Sequence, residues 1–357
     1  MQKLTLLFAL FILFSCQNPQ NENQSKEETA IESSEENPRL ARLQKSIDSL
    51  STLNLERPKD IDILLERARK YVEIPNPAYA KSDVDAAFFL DSTRADVLLL
   101  RGEVYYISNR TRTSRDMWER CAALFPESKD CRLRMSELYL AIGDLEAALK
   151  HVNEVLNLEP KHANAIFMKG VVVRDLYADT TLAMQYFQRA IDLKDGQYIE
   201  ALDMMGVMLA HRKDPQAIQY FKNALKINPN RADLYHKIGL SYTYEEDYNA
   251  ALEAYEKSLQ LNRRNDEVYF NIGFIHITLK NYDLAIDNFN KALEIREMGV
   301  KALYGRGFAY EMRGDVLNAR KDYQSCLGMF PDYKPAQIGL ERVNRMIEGE
   351  DVDWDNQ

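Results

Sequence analysis

The chain has 357 residues, 46% hydrophobic and 28% charged, with 14 Gly and 11 Pro. That composition excludes a collagenous, low-complexity or wholly disordered chain, and the length suits two or three domains or one repeat array. A formal charge of -9 argues against a nucleic-acid-coating role, and five His with four Cys leave little room for a metal cluster.

Residues 1–15 read MQKLTLLFALFILFS, with Lys3 followed by an apolar run from Leu4 to Phe14. The run is too short for a permanent membrane span and matches the core of a secretory signal peptide. It closes on Leu13-Phe14-Ser15-Cys16, which resembles a bacterial lipobox. The resemblance implies cleavage before Cys16 and acylation of its thiol, palmitate included. Gln17 rather than Asp follows, which by the same resemblance favours the outer membrane, with the body facing the periplasm. Residues 16–38 then form the lipidated Cys and an acidic tether: positions 17–37 hold six Glu, one Lys and almost nothing apolar. Such a segment cannot bury enough surface to fold. As a flexible coil it spans ~25 Å on average. An acidic tail over 348–357 balances it at the other end, and with Lys3 the two segments account for the whole net charge.

Between the tails runs a period of 34. Gly239, Gly273 and Gly307 keep it, as do Ala217, Ala251, Ala285 and Ala319, and Pro126 with Pro160. Each period holds two apolar stripes of helical spacing with a polar turn between them; Ala251, Leu252, Tyr255, Ser258 and Leu259 share one face. Gly is needed where the first helix (A) crosses its neighbour without room for a Cβ, and Pro ends the second (B). These residues resemble the tetratricopeptide repeat: Tyr235, Ile238, Gly239, Tyr242, Ala251 and Tyr255 in one unit; Tyr269, Ile272, Gly273, Ala285, Phe289 and Ala292 in the next. The resemblance implies an all-α, right-handed α-solenoid of eight repeats over 61–333, starting at 61, 95, 129, 163, 199, 232, 266 and 300. A capping region over 39–60 precedes them and a capping helix over 334–347 follows. The unit from 163 carries a two-residue insertion around Ala178–Thr181, and the unit from 199 a one-residue deletion near Lys213. In the first unit Ala68 replaces the Gly.

No phosphate loop, metalloprotease helix, nucleophile elbow or C-x-x-C motif occurs, so neither an enzyme nor a cofactor is expected. His211 and His236, with Asp203 and Asp233 nearby, could form a metal or pH-sensitive site, but a polar patch in a groove explains them more simply, and no metal is assigned. His276 stands at a Tyr packing position and reads as structural. Cys121 and Cys131 end one helix B and begin the next helix A. They could pair in an oxidising compartment; the alternative is two buried thiols.

By the family resemblance, helix A positions 2, 5, 9, 12 and 13 line the concave face. Here they present Phe167, Val171, Val207, His236, Leu240, Tyr244, Phe270, Phe274, Ile277, Tyr304 and Phe308. The basic set that grips a peptide carboxylate in one subgroup is missing, and apolar anchors for a protein or peptide partner are expected instead. The alternative is that these side chains fill gaps between repeats. The expected protein is a membrane-anchored scaffold or adaptor of the cell envelope that binds partners in its groove, without nucleic acid. The competing expectation is a surface lipoprotein that binds glycans or nutrients beside an outer-membrane transporter; it is weakened because the two Trp, Trp118 and Trp354, lie at a packing position and in the tail.

Overall fold

A computed structural model describes residues 38–74 and 77–350. The signal peptide, Cys16, nearly all of the tether, Trp354 and most of the acidic tail lie outside the described residues. Those described form eighteen α-helices and no strand, an all-α solenoid of paired helices. They divide into two compact units that meet between Asp179 and Thr180, inside the repeat that starts at 163. The first unit holds α1 (Pro38–Glu56), α2 (Ile61–Glu73), α3 (Pro77–Leu90), α4 (Ala95–Ile107), α5 (Thr111–Leu124), α6 (Lys129–Ala141), α7 (Leu145–Leu158) and α8 (Ala163–Tyr177). The second holds α9 (Thr180–Leu193), α10 (Ile199–His211), α11 (Gln216–Ile227), α12 (Ala232–Tyr244), α13 (Tyr248–Leu261), α14 (Asp266–Thr278), α15 (Tyr282–Ile295), α16 (Val300–Arg313), α17 (Val316–Met329) and α18 (Lys334–Ile347).

The turn between helices A and B is made the same way in six repeats, those from 95, 129, 199, 232, 266 and 300. The fifteenth residue of a repeat enters the left-handed region (Gly143, φ 83°; Glu246, φ 60°; Lys280, φ 59°; Gly314, φ 88°). The next residue's N–H then reaches back to the eleventh residue's carbonyl, as in Asp247 N to Tyr242 O (3.0 Å) and Asp315 N to Tyr310 O (2.8 Å). These bonds satisfy carbonyls that a helix end leaves open. The same Asp then caps helix B: Asp144, Asp247 and Asp315 accept from the backbone N–H three residues on.

The cores are built on a size match inside each repeat. A Cβ on Gly206 would lie 2.5 Å from the Phe221 ring, and one on Gly273 2.9 Å from Phe289. Gly102 sits in the same way under Trp118, Gly239 under Tyr255 and Gly307 under Tyr323. Where the glycine is replaced, the ring is too: the partner of Ala68 is Val84 and that of Ser136 is Val152, both buried. A small residue against a ring and a larger one against valine fill comparable volume, as close-packed interiors require.

The deletion falls two residues beyond Lys213. Lys213 keeps the left-handed turn (φ 55°) and Asp214 the capping position. The next helix's first turn is what shortens, with Ala217 N bonding Asp214 O in a three-residue loop where Ala251 N spans four to Asp247 O. Pro215, which has no N–H to lose, occupies that tightened turn. The insertion is split rather than local to 178–181. It lengthens α8 to 15 residues and adds Gly196 (φ 77°) to the connection after α9.

Candidate functional site

Within the second unit, the A helices α10, α12, α14 and α16 are successive neighbours. Their ninth positions, Val207, Leu240, Phe274 and Phe308, are half-buried and form a row across the four helices. Tyr244 stands at the rim, 38% exposed, with Lys213 Nζ 5.4 Å from its ring centre. Phe167 and Val171 are also half-buried, on α8 of the first unit.

The fifth positions Phe270 and Tyr304 are half-buried as well, and their rings meet those of neighbouring helices. Phe270 tilts against Phe289 with ring centres 5.7 Å apart. It packs, with Ile277, on the cluster of Ala285, Ile286 and Phe289. Tyr304 meets Tyr323 at 5.9 Å and Tyr333 at 5.6 Å, besides Phe308 at 6.4 Å. Helix A here leans its fifth residue toward the following helix B, so these rings spend much of their surface joining helices. The ninth residues, one turn on, are apolar and half-buried, with Phe308 also beside Tyr304.

His236 closes one side of the row. Asn271 Nδ2 donates to His236 Nε2 (3.0 Å), and the imidazole lies 5.9 Å from the Tyr255 ring. Burial, helped by Lys237 and opposed by Asp233, pushes His236 down to about 4, so at neutral pH the ring is an uncharged acceptor. Asp203 is taken by Lys237 (2.6 Å) and Arg231 (3.5 Å), and Arg231 also pairs with Asp233 (2.6 Å). His211 is exposed at the end of α10. Among the described residues no group of three or more His, Cys, Asp or Glu is placed to hold a metal. His276 is half-buried with Nδ1 lacking a hydrogen-bond partner, and burial lowers its pKa.

Cys121 and Cys131 form a disulfide that ties α5 to α6, with their Cα atoms 5.7 Å apart. Cys326, at the repeat position of Cys121, faces Ala336 across the corresponding turn and is a buried thiol. Trp118 is 2% exposed, donates to Leu99 O and offers no ring face to a ligand.

Sequence reading missed Asn271 and the Arg231–Asp203–Lys237 cluster. It also missed two buried ion pairs, Arg67–Asp83 (2.6 Å) and Arg306–Asp322 (2.7 Å). A signal existed for the pairs: Arg and Asp stand sixteen apart at the same places in the first and last repeats. Nothing local marks Asn271, which meets its partner one repeat away.

Tetratricopeptide-repeat family models match residues 130–162, 230–298 and 301–333. The chain therefore carries tetratricopeptide repeats, modules that mediate protein–protein interactions. Among characterised proteins it is similar to the human mitochondrial import receptor subunit TOM70, 26% identical over 254 residues and 65% of this chain. The match spans 42% of that relative's length. Among solved structures it is similar to the APC/C hetero-tetramer Cut9-Hcn1 (TM-score 0.57, 17% identity, 84% of this chain and 59% of that one). It also resembles pilF of Pseudomonas aeruginosa (TM-score 0.52, 21% identity, 60% of this chain and 96% of that one). Both likenesses show the fold.

Proposed function

We propose that this protein is a non-catalytic adaptor that binds another protein along the row Val207, Leu240, Phe274 and Phe308. The row is the observation that carries the reading: half-exposed apolar side chains, one per repeat, with neutral His236 and Asn271 beside them. Such a surface buries favourably against apolar residues spaced along a helix or an extended segment, at about 25 cal/mol per Å².

The location is part of the proposal. Cys16 at the end of the signal-like run would be acylated and hold the solenoid at the outer membrane, on the periplasmic side. In support, the Cys121–Cys131 disulfide suits an oxidising compartment. No described helix is long and apolar enough to cross a membrane.

The test is cross-linking capture from native envelopes, comparing the unaltered chain with a Phe274→Glu, Phe308→Glu double variant. Partners lost only with the variant, while far-UV circular dichroism stays unchanged, identify the row as the contact surface. Identical capture profiles would remove the row from consideration. Phe270 is left intact because its contact with Phe289 makes its replacement a test of folding.

A further inference from the structure

The first unit carries an apolar edge that the adaptor reading does not use. The turns from helix A to helix B expose Tyr106 and Ile107 at the end of α4 (38% and 44%), Ile142 after α6 (53%) and Tyr177 at the end of α8 (61%). Since α4, α6 and α8 are successive neighbours, these residues line one edge of the unit. In the second unit the A helices are capped by Arg212, Glu245, Leu279 and Gly314, so two of the four caps are charged, and Leu279 is 41% exposed.

Two further observations say what meets this edge. The chain enters the fold there: α1 packs antiparallel on α2, and Arg39 lies 3.9 Å from Glu73 in the last turn of α2. The segment leading back to Cys16 therefore starts at the edge that bears Ile107 and Ile142. Its 21 residues reach at most ~75 Å, which tethers that edge to whatever holds Cys16. Second, the turn beside Ile107 is basic. The first turn of α5 holds no acid, and Arg110 and Arg112 are exposed; in the second unit the corresponding turns vary, from Arg-Lys-Asp at 212–214 to Glu-Glu-Asp at 245–247. Arginines flanked by Ile and Tyr suit a phospholipid interface, with guanidinium groups on phosphates and apolar side chains at the acyl boundary.

We propose that this edge of the first unit lies against the phospholipid surface, with Ile107 and Ile142 in the interface and Arg110 and Arg112 on headgroup phosphates. The inference rests on the reading of Cys16 as the anchor. The opposite edge also shows Leu124 and Leu158, 47% and 46% exposed; the entry point of the chain selects between the two.

Hydrogen exchange on vesicles of phosphatidylethanolamine and phosphatidylglycerol (about three to one) tests it. One arm uses the full mature chain acylated at Cys16. The other replaces Cys16 with a hexahistidine tag held on nickel-chelating lipid, which makes the edge testable without acylation. Exchange of peptides covering 104–113 and 140–146 should slow several-fold on vesicles in both arms, while 124–130 and 158–163 stay unchanged. An Ile107→Asp, Ile142→Asp variant and an Arg110→Glu, Arg112→Glu variant should lose the protection while remaining vesicle-bound. No slowing in the tagged arm, or equal slowing at both edges, overturns the proposal. Unacylated Cys16 in native membranes, read by mass spectrometry, would sink the anchor reading, while slowing in the tagged arm would still uphold the edge.

Discussion

The two units share a repeat and differ in what their A helices present at the ninth position. In the first, three of the four are charged, Arg69, Glu103 and Glu137; in the second all four are apolar. The charged set is internally satisfied: Arg134 reaches Glu137 (2.8 Å) and Glu103 (3.4 Å), and Arg69 reaches Glu66 (3.3 Å). Surface pairs of this kind contribute ~0–1 kcal/mol each and leave a hydrated face with little drive to associate. The same repeat therefore presents a charged, hydrated face in one unit and an apolar one in the other. The difference lives in side chains, and the substitutions below separate it from fold.

The largest expected effect concerns how the second unit ends. Glu311 is buried on α16, where it accepts from Tyr323 (2.6 Å) and from Arg342 of α18. Arg342→Met should leave that carboxylate buried and unpaired, at a cost of about 3–5 kcal/mol. Because repeats contact mainly their neighbours, the loss should appear as early exchange of α17 and α18, with the first unit unaffected. Uniform loss of protection in both units would show that they unfold together.

The next effect is pH dependence. An unfolded His binds its proton near 6.5, whereas His236 resists until about 4. Between those values the unfolded chain holds the extra proton, so stability falls as pH falls. The contribution is complete above 6.5, lost by about 4, and worth about 3 kcal/mol. Carboxylates titrate over part of the same window, so the quantity to compare is the slope of unfolding free energy with pH in His236→Gln against the parent. Equal slopes would show that His236 is hydrated in solution.

Much of this architecture was legible in advance, for a physical reason. A 34-residue period writes one local packing problem eight times, so Gly239, Gly273 and Gly307 announce themselves by spacing. The fate of Phe270 was not legible, because position five faces both the groove and the following helix B, and only rotamer and ring contact decide between them. The length change in the unit from 199 was legible as a count but not as a place. Backbone hydrogen bonding put it in the first turn of α11, where Pro215 costs no bond.

The size match offers a sharper test of the shared frame. Val84→Tyr alone should overpack against Ala68 and cost ~1–3 kcal/mol. Adding Ala68→Gly recreates the arrangement of Gly239 and Tyr255 and should recover at least half of that loss in urea unfolding. Additive costs would mean that α2 and α3 sit at a different separation from α12 and α13.

The smallest effect lies in the turns. Asn109, Gly143 and Gly314 are residue types that tolerate the left-handed conformation there, while Ala178 in the first unit and Lys213, Glu246 and Lys280 in the second are not. A side chain with a Cβ costs ~1–2 kcal/mol in that region. Glycine removes the clash but has more freedom to lose on folding, ~0.5–1 kcal/mol. The difference leaves a net gain of ~0.5–1 kcal/mol for Lys280→Gly. Lys213 is the poorer site, since it also covers the Tyr244 ring. Lys280→Gly should raise the unfolding midpoint of the second unit, and Asn109→Gly in the first should change little, because asparagine already adopts the conformation at low cost. Equal shifts at both positions would assign the strain to the repeat itself rather than to the residue types that occupy the turn.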